Sequence, residues 1–251
     1  MSYTPMSTDT ARLKAVLLVA ATIAFVVSPF VTPGFGGFDP DAFPVTQADP
    51  PVQPAGYAFA IWGPIYVWLA VHAGFGLFAR ADDPDWDAPR WPLLASLALG
   101  ASWLAVATVA PLPATVQIWA MLILAIAAAL RTSPRREPWL LSAPVALYAG
   151  WLTAASWVAL GIALAGHGIL GGAAAAVLAL FGATVMAVAV QLRLGHAPLY
   201  GAAVVWAFVA VAVANAAAGR WPLAFVALVA AAVVGEATLR ALRQGRTAVA
   251  S

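Results

Sequence analysis

Cysteine is absent from this chain of 251 residues. That excludes a disulfide framework, Cys-ligated zinc, iron–sulfur clusters and a cysteine nucleophile. Charge is scarce as well. Only 9% of residues are Asp, Glu, Lys or Arg, where a soluble domain carries about 25%. The net charge is +2, and no dense basic patch with interleaved aromatics occurs, so nucleic acid is not an expected partner. No Ser-His-Asp set, HExxH motif or Gly-rich phosphate loop is present. The chain is therefore read as non-enzymatic, with no catalytic residue, no metal site and no required cofactor.

Apolar residues make up 63% of the sequence. No soluble core of this size hides so much apolar surface, so lipid must solvate much of it. At about 20 residues per crossing, eight apolar runs stand out: 13–30, 57–79, 91–110, 113–131, 138–164, 168–192, 198–218 and 221–241. Their interiors hold no Asp, Lys or Arg, each of which would cost about 2.5–3.5 kcal/mol at a helix centre. Apart from Lys14, Arg131 and Arg240 at the run ends, Glu236 alone falls inside a run, four residues before Arg240, on the same helix face. β-Strands of a barrel would alternate apolar and polar residues. Stretches such as 202–214 are apolar almost throughout and rich in Ala, a strong helix former. The fold class is thus all-α, a polytopic membrane helix bundle with about eight transmembrane helices.

Loop charges set the expected orientation. Counting alternately from the inside places Arg12, Lys14, Arg80, Arg90, Arg131, Arg135, Arg136, Arg193, Arg240, Arg243 and Arg246 inside. Of the 12 Lys and Arg residues, only Arg220 falls outside, a strong positive-inside bias. Fusing the runs on either side of Ala110-Pro111-Leu112-Pro113 would break the alternation, so this break is read as a tight turn. The first run has Arg12 and Lys14 ahead of it, as a signal peptide would. No small-residue cleavage site follows, and it is read as a retained helix. The expectation is a multi-pass cell-membrane protein of the bacterial inner-membrane type, with both termini cytoplasmic.

Two loops draw notice. Loop 31–56, expected outside, carries six of the 19 prolines and no Lys or Arg. Its length suits either a functional cap or an extended connector. Loop 80–91, expected inside, sets Asp82, Asp83, Asp85 and Asp87 beside Arg80 and Arg90. It is read as a solvated turn, since the spacing fits no EF-hand.

The polar groups that stand out within the runs are His72, Gln117, Thr153, Ser156 and Asn215, the only Asn. No carboxylate pair or ionisable relay crosses the bilayer, which argues against a proton-driven pump. His72 is the one buried candidate for axial ligation of a haem-type metal, or else is hydrogen-bonded to a neighbour. Ala-rich patches such as 171–176 permit close helix packing.

The aromatics are more telling. Of the 11 tryptophans, Trp86, Trp91, Trp139 and Trp221 fall at expected interfaces, as an aromatic belt would. Phe59, Trp62 and Tyr66 share one face of the second run, and Pro144, Tyr148, Trp151 and Ala155 share one face of the fifth. Such stripes either wall a flat apolar ligand or pack against other helices.

The segment Pro54-Ala55-Gly56-Tyr57-Ala58-Phe59-Ala60-Ile61-Trp62-Gly63-Pro64-Ile65-Tyr66 resembles the start of the second helix in the TspO/MBR family, the tryptophan-rich sensory proteins. Residues 144–155, with Tyr148 and Trp151 ahead of a small residue, are similar to the fifth-helix pattern. Leu99-Gly100-Ala101-Ser102-Trp103 stands where the third helix carries Asn-x-x-Trp. Gly100 replaces the usual Asn, and Ala159 stands where a second would fall. The resemblance runs over about residues 13–164 and implies a TspO-like five-helix core (1–166, with loop 31–56 as its cap) followed by three additional helices and a short basic tail (167–251). It further implies a sensory or regulatory protein that binds a flat hydrophobic ligand, such as a porphyrin or related tetrapyrrole, between the second, third and fifth helices. The ligand-binding residues so carried over are Phe59, Trp62, Tyr66, Trp103, Tyr148, Trp151 and Ala155. Two alternatives stand beside this. One is a structural or accessory subunit of a larger membrane assembly, such as a pigment–protein photosynthetic complex, with the pocket closed. The other is a small-molecule transporter. Expected partners are the lipid bilayer and a hydrophobic small molecule, with a homo-oligomer or larger complex as further options.

Overall fold

Lipid offers the backbone no partners for its N–H and C=O groups, so a spanning segment must satisfy them internally, as a helix. The computed structural model describes residues 8–32, 36–134 and 136–250. These residues form helices and no strand. In chain order the helices are α1 (Thr8–Val31), α2 (Trp62–Phe78), α3 (Pro84–Asp87), α4 (Arg90–Val109), α5 (Pro111–Ala129), α6 (Ser142–Gly166), α7 (Gly172–Leu194), α8 (Leu199–Ala217) and α9 (Trp221–Ala250). Eight helical stretches are long and apolar enough to cross a membrane, one for each expected run. The tight turn between α4 and α5 is a single residue, Ala110, after which Pro111 opens α5, where a missing N–H costs nothing. Glu236 and Arg240 pair at 2.6 Å along α9.

Five helices close a ring: α1 touches α2, α2 touches α6, α6 touches α5, α5 touches α4, and α4 returns to α1. A second ring runs α6–α7–α9–α8 and back to α6. α6 is the wall both rings share, and 78% of its span is buried against 28–56% for the others. Small residues make this possible. A Cβ on Gly150 would lie 2.1 Å from the Tyr200 carbonyl oxygen of α8, and one on Gly182 of α7 would lie 2.2 Å from the Trp157 ring of α6. The expected boundary at 166/167 falls between α6 and α7. The apolar core continues across it, from Leu18 of α1 to Val234 of α9.

Loop 80–91 is more than a solvated turn. It contains α3, capped by the Asp83 carboxylate accepting from the Asp85 N–H. Trp86 is 1% exposed, stacked on His72 with ring centroids 5.1 Å apart. It is therefore an interior anchor and no part of an interfacial belt, unlike the exposed Trp91, Trp139 and Trp221. Each aspartate of this loop has a cation: Asp82 with Arg12, Asp87 with Lys14 and Arg90, and both Asp83 and Asp85 with Arg136. All of these lie at one end of the bundle. Arg220 lies at the other end, beside loop 31–56. Arg135, counted with the inside set, lies outside the described residues.

Candidate functional site

The aromatic stripe of the second run is built from two kinds of helix. Gly56–Ile61 is a 3-10 segment that supplies Phe59, and α2 then supplies Trp62 and Tyr66. Four residues apart on α2, these two rings lie over one another. They stack at 5.3 Å and 16°. Trp151 of α6 meets Phe59 and Trp62 edge-on, each at 6.0 Å. Trp151 thus joins the stripe of the second run to the cavity-facing end of the stripe on the fifth.

That wall faces a cavity of about 280 Å3 inside the first ring. Phe59, Trp62, Tyr66, Trp103, Trp151 and Ala155 all line it. A narrower chamber of about 60 Å3 continues toward the loop, sharing Phe59, Trp103, Trp151 and Ala155. Gly37, Phe38, Gln53 and Pro54 of loop 31–56 line this chamber, with Ala159 of α6. Of the seven carried-over residues, Tyr148 alone stands off the cavity. It is fully buried, and its hydroxyl pairs with Ser96 Oγ at 2.9 Å. Ser96 Oγ donates to the Met121 carbonyl, so the Tyr148 hydroxyl is the donor of the pair. Tyr148 supports the wall from behind Phe25, whose ring it meets edge-on at 5.7 Å.

Phe25 of α1 is the lining residue that the sequence did not single out. Its ring meets Trp62 and Tyr66 edge-on at 5.8 and 5.3 Å. It fills the niche that Gly100 leaves open.

The polar atoms divide into engaged and free. Trp103 Nε1 donates to the Ala114 carbonyl at 2.9 Å, which fixes that ring. Trp151 Nε1 is buried without a hydrogen-bond partner. The Tyr66 hydroxyl has none among the described residues. Two donors are thus unengaged on residues of an otherwise apolar wall, the composition of a small-molecule site.

The remaining polar candidates are structural. His72 Nδ1 bonds the Leu140 carbonyl at 2.8 Å and does not reach the cavity. Gln117 donates to Leu99 O and Ser102 Oγ, Thr153 pairs with the Tyr200 hydroxyl, and Ser156 bonds Ile118 O. Among the described residues no group of His, Asp or Glu could hold a metal ion.

The family model for TSPO-like proteins matches residues 14–240, from α1 into α9 and so beyond the stretch 13–164. No match is found among curated proteins or among solved structures. With six of the seven motif residues lining one cavity and the family pattern running through all eight spans, the chain belongs to the TSPO-like protein family.

Proposed function

We propose that the protein is a non-enzymatic membrane sensor or regulator that binds a flat hydrophobic ligand of the porphyrin type in the first-ring cavity. The observation that carries this reading is the cavity itself: aromatic walls on α2 and α6 enclose open space, and Trp151 Nε1 and the Tyr66 hydroxyl have no protein partner. Aromatic faces favour a flat ring system. The Tyr66 hydroxyl favours a ligand edge bearing an acceptor, such as a carboxylate or carbonyl, and the buried Trp151 N–H, which costs about 1–3 kcal/mol while unpaired, becomes available to such an edge when the wall yields.

Size sets a condition on binding. The cavity of about 280 Å3 is at the lower edge of the roughly 300–1,000 Å3 usual for small-molecule sites. A tetrapyrrole therefore requires Phe25 or the loop to yield. The cavity persists although Gly100 and Ala159 supply no amide, which favours a ligand site over a closed pocket in an accessory subunit. The charge segregation supports a multi-pass protein of the cell membrane with the α3 end cytoplasmic.

Titration of purified protein with protoporphyrin, read by tryptophan fluorescence, tests this. Saturable quenching is expected, with Trp151→Phe weakening it about tenfold by deleting the free N–H while keeping an aromatic ring. Absence of quenching in the wild type, or an unchanged affinity in both Trp151→Phe and Trp151→Ala, would sink the reading.

A further inference from the structure

The lone Asn of the chain and the lone Lys or Arg expected outside meet in one network, and that network holds loop 31–56. Arg220, between α8 and α9, donates from Nη1 to Asp49 Oδ2 at 2.7 Å and from Nη2 to Asp49 Oδ1 at 3.2 Å. Its Nε donates to Asn215 Oδ1 at 2.8 Å. Asn215, fully buried on α8, turns its amide N–H groups to the Pro51 carbonyl at 2.7 Å and to Val211 O at 2.9 Å. The amide is thus used on both sides: its oxygen fixes Arg220, and its nitrogen fixes the loop.

The loop continues along α8 from there. The Ala55 N–H donates to Ala210 O at 3.1 Å, and Trp206 Nε1 donates to Ala58 O at 3.0 Å. Val52 packs against Gly161 of α6, where a Cβ would meet its methyl groups at 3.2 and 3.3 Å. Irregular backbone at this depth is tolerated only where protein satisfies its polar groups. Pro50, Pro51 and Pro54 bring no N–H to satisfy, and Asn215 takes the Pro51 carbonyl. Between the two fixed points, Pro51 and Ala55, lie Gln53 and Pro54, which line the narrow chamber.

We propose that Asn215 and Arg220 are positioning residues that clamp segment 49–58 over the narrow chamber that continues from the cavity, and that release of this clamp sets the rate of ligand entry and exit by this route. The second ring thereby acquires a role, since α8 and the α8–α9 link hold the cover of a chamber that continues from the first-ring cavity. The clamp as a rate control rests on the ligand reading above. The clamp as a structural tie does not.

The test uses the full chain in lipid nanodiscs and two measurements. One is hydrogen exchange of the Ala55 amide without ligand. The other is the rate of protoporphyrin release, read by tryptophan fluorescence. Asn215→Ala is expected to speed both about tenfold, equivalent to about 1.4 kcal/mol. Arg220→Asp is expected to speed them a few-fold, because the Asp49 pair is more exposed. Asp49→Arg combined with Arg220→Asp should return both rates toward wild type, and it covers the case in which Asn215→Ala fails to fold. Unchanged Ala55 exchange in Arg220→Asp overturns the clamp. Faster exchange with an unchanged release rate overturns its control of the ligand. A wild type that never quenches removes the ligand reading, while the exchange measurement still decides the tie.

Discussion

Phe25 occupies the space that a side chain at position 100 would need. A Cβ built on Gly100 would lie 2.6 Å from Phe25 Cε2 and 3.1 Å from Met121 Cε. The glycine is therefore the complement of a ring, and the ring closes one side of the cavity. Gly100→Ala is expected to destabilise the protein by about 1–3 kcal/mol, the usual cost of overpacking a filled site. In a Phe25→Ala background the same change should cost much less, since the two residues share one space. Thermal unfolding of the four proteins of this cycle measures the coupling. Equal costs in both backgrounds would show that the ring and the glycine are independent.

This pair also marks how far the sequence could be read. The eight spans were legible because lipid imposes hydropathy and charge segregation on every crossing. The wall was legible in its parts because helical spacing puts Phe59, Trp62 and Tyr66 on one face of the second run and Trp151 on a stripe of the fifth. Phe25 was not, because it sits in a run that is apolar on all sides and shows no stripe. Its only trace was an absence, the missing side chain at Gly100. Asn215 and Arg220 stood out by rarity, yet their partners at Asp49 and Pro51 lie more than 160 residues away. Trp86 looked interfacial by position. Only the three-dimensional packing of α3 against His72 and Phe75 shows it to be buried.

Arg90 makes the second prediction. It is 1% exposed, and its guanidinium donates to the carbonyls of Ala11, Gly76, Arg80 and Ala81 and to the Asp87 carboxylate. Those groups come from α1, the end of α2, the link after it and α3. One planar fork thus joins four segments that would otherwise be left with buried unpaired acceptors. Arg90→Met is expected to destabilise by about 3–5 kcal/mol, the range for removing one partner from a buried ionic network. Arg90→Lys should recover little of this, because an ammonium cannot reach the same set of acceptors from one plane. Melting of the purified variants decides it, and a lysine variant as stable as wild type would contradict the geometric argument.

Acid should loosen the same end of the bundle through Glu137. The Arg80 guanidinium donates to its Oε1 from both Nε and Nη2, and the Trp86 indole donates to Oε2 at 3.1 Å. Hydrogen bonds from Arg80, then from Trp86, hold the Glu137 carboxyl below its usual range. A carboxyl depressed in the folded state contributes stability that is fully present above the unfolded value, about 4.3. That contribution is lost as pH falls through the lower folded value. Stability is therefore expected to be flat in this respect near neutral pH and to decline below about pH 4. Glu137→Gln keeps an acceptor for Trp86 but removes the charge facing Arg80. It should lower the melting temperature at pH 7 and leave a smaller difference from wild type in acid. The exposure of the pair to solvent keeps the effect modest. Melting curves of both proteins across this pH range are the check, and a difference that grows toward low pH would reverse the assigned sign.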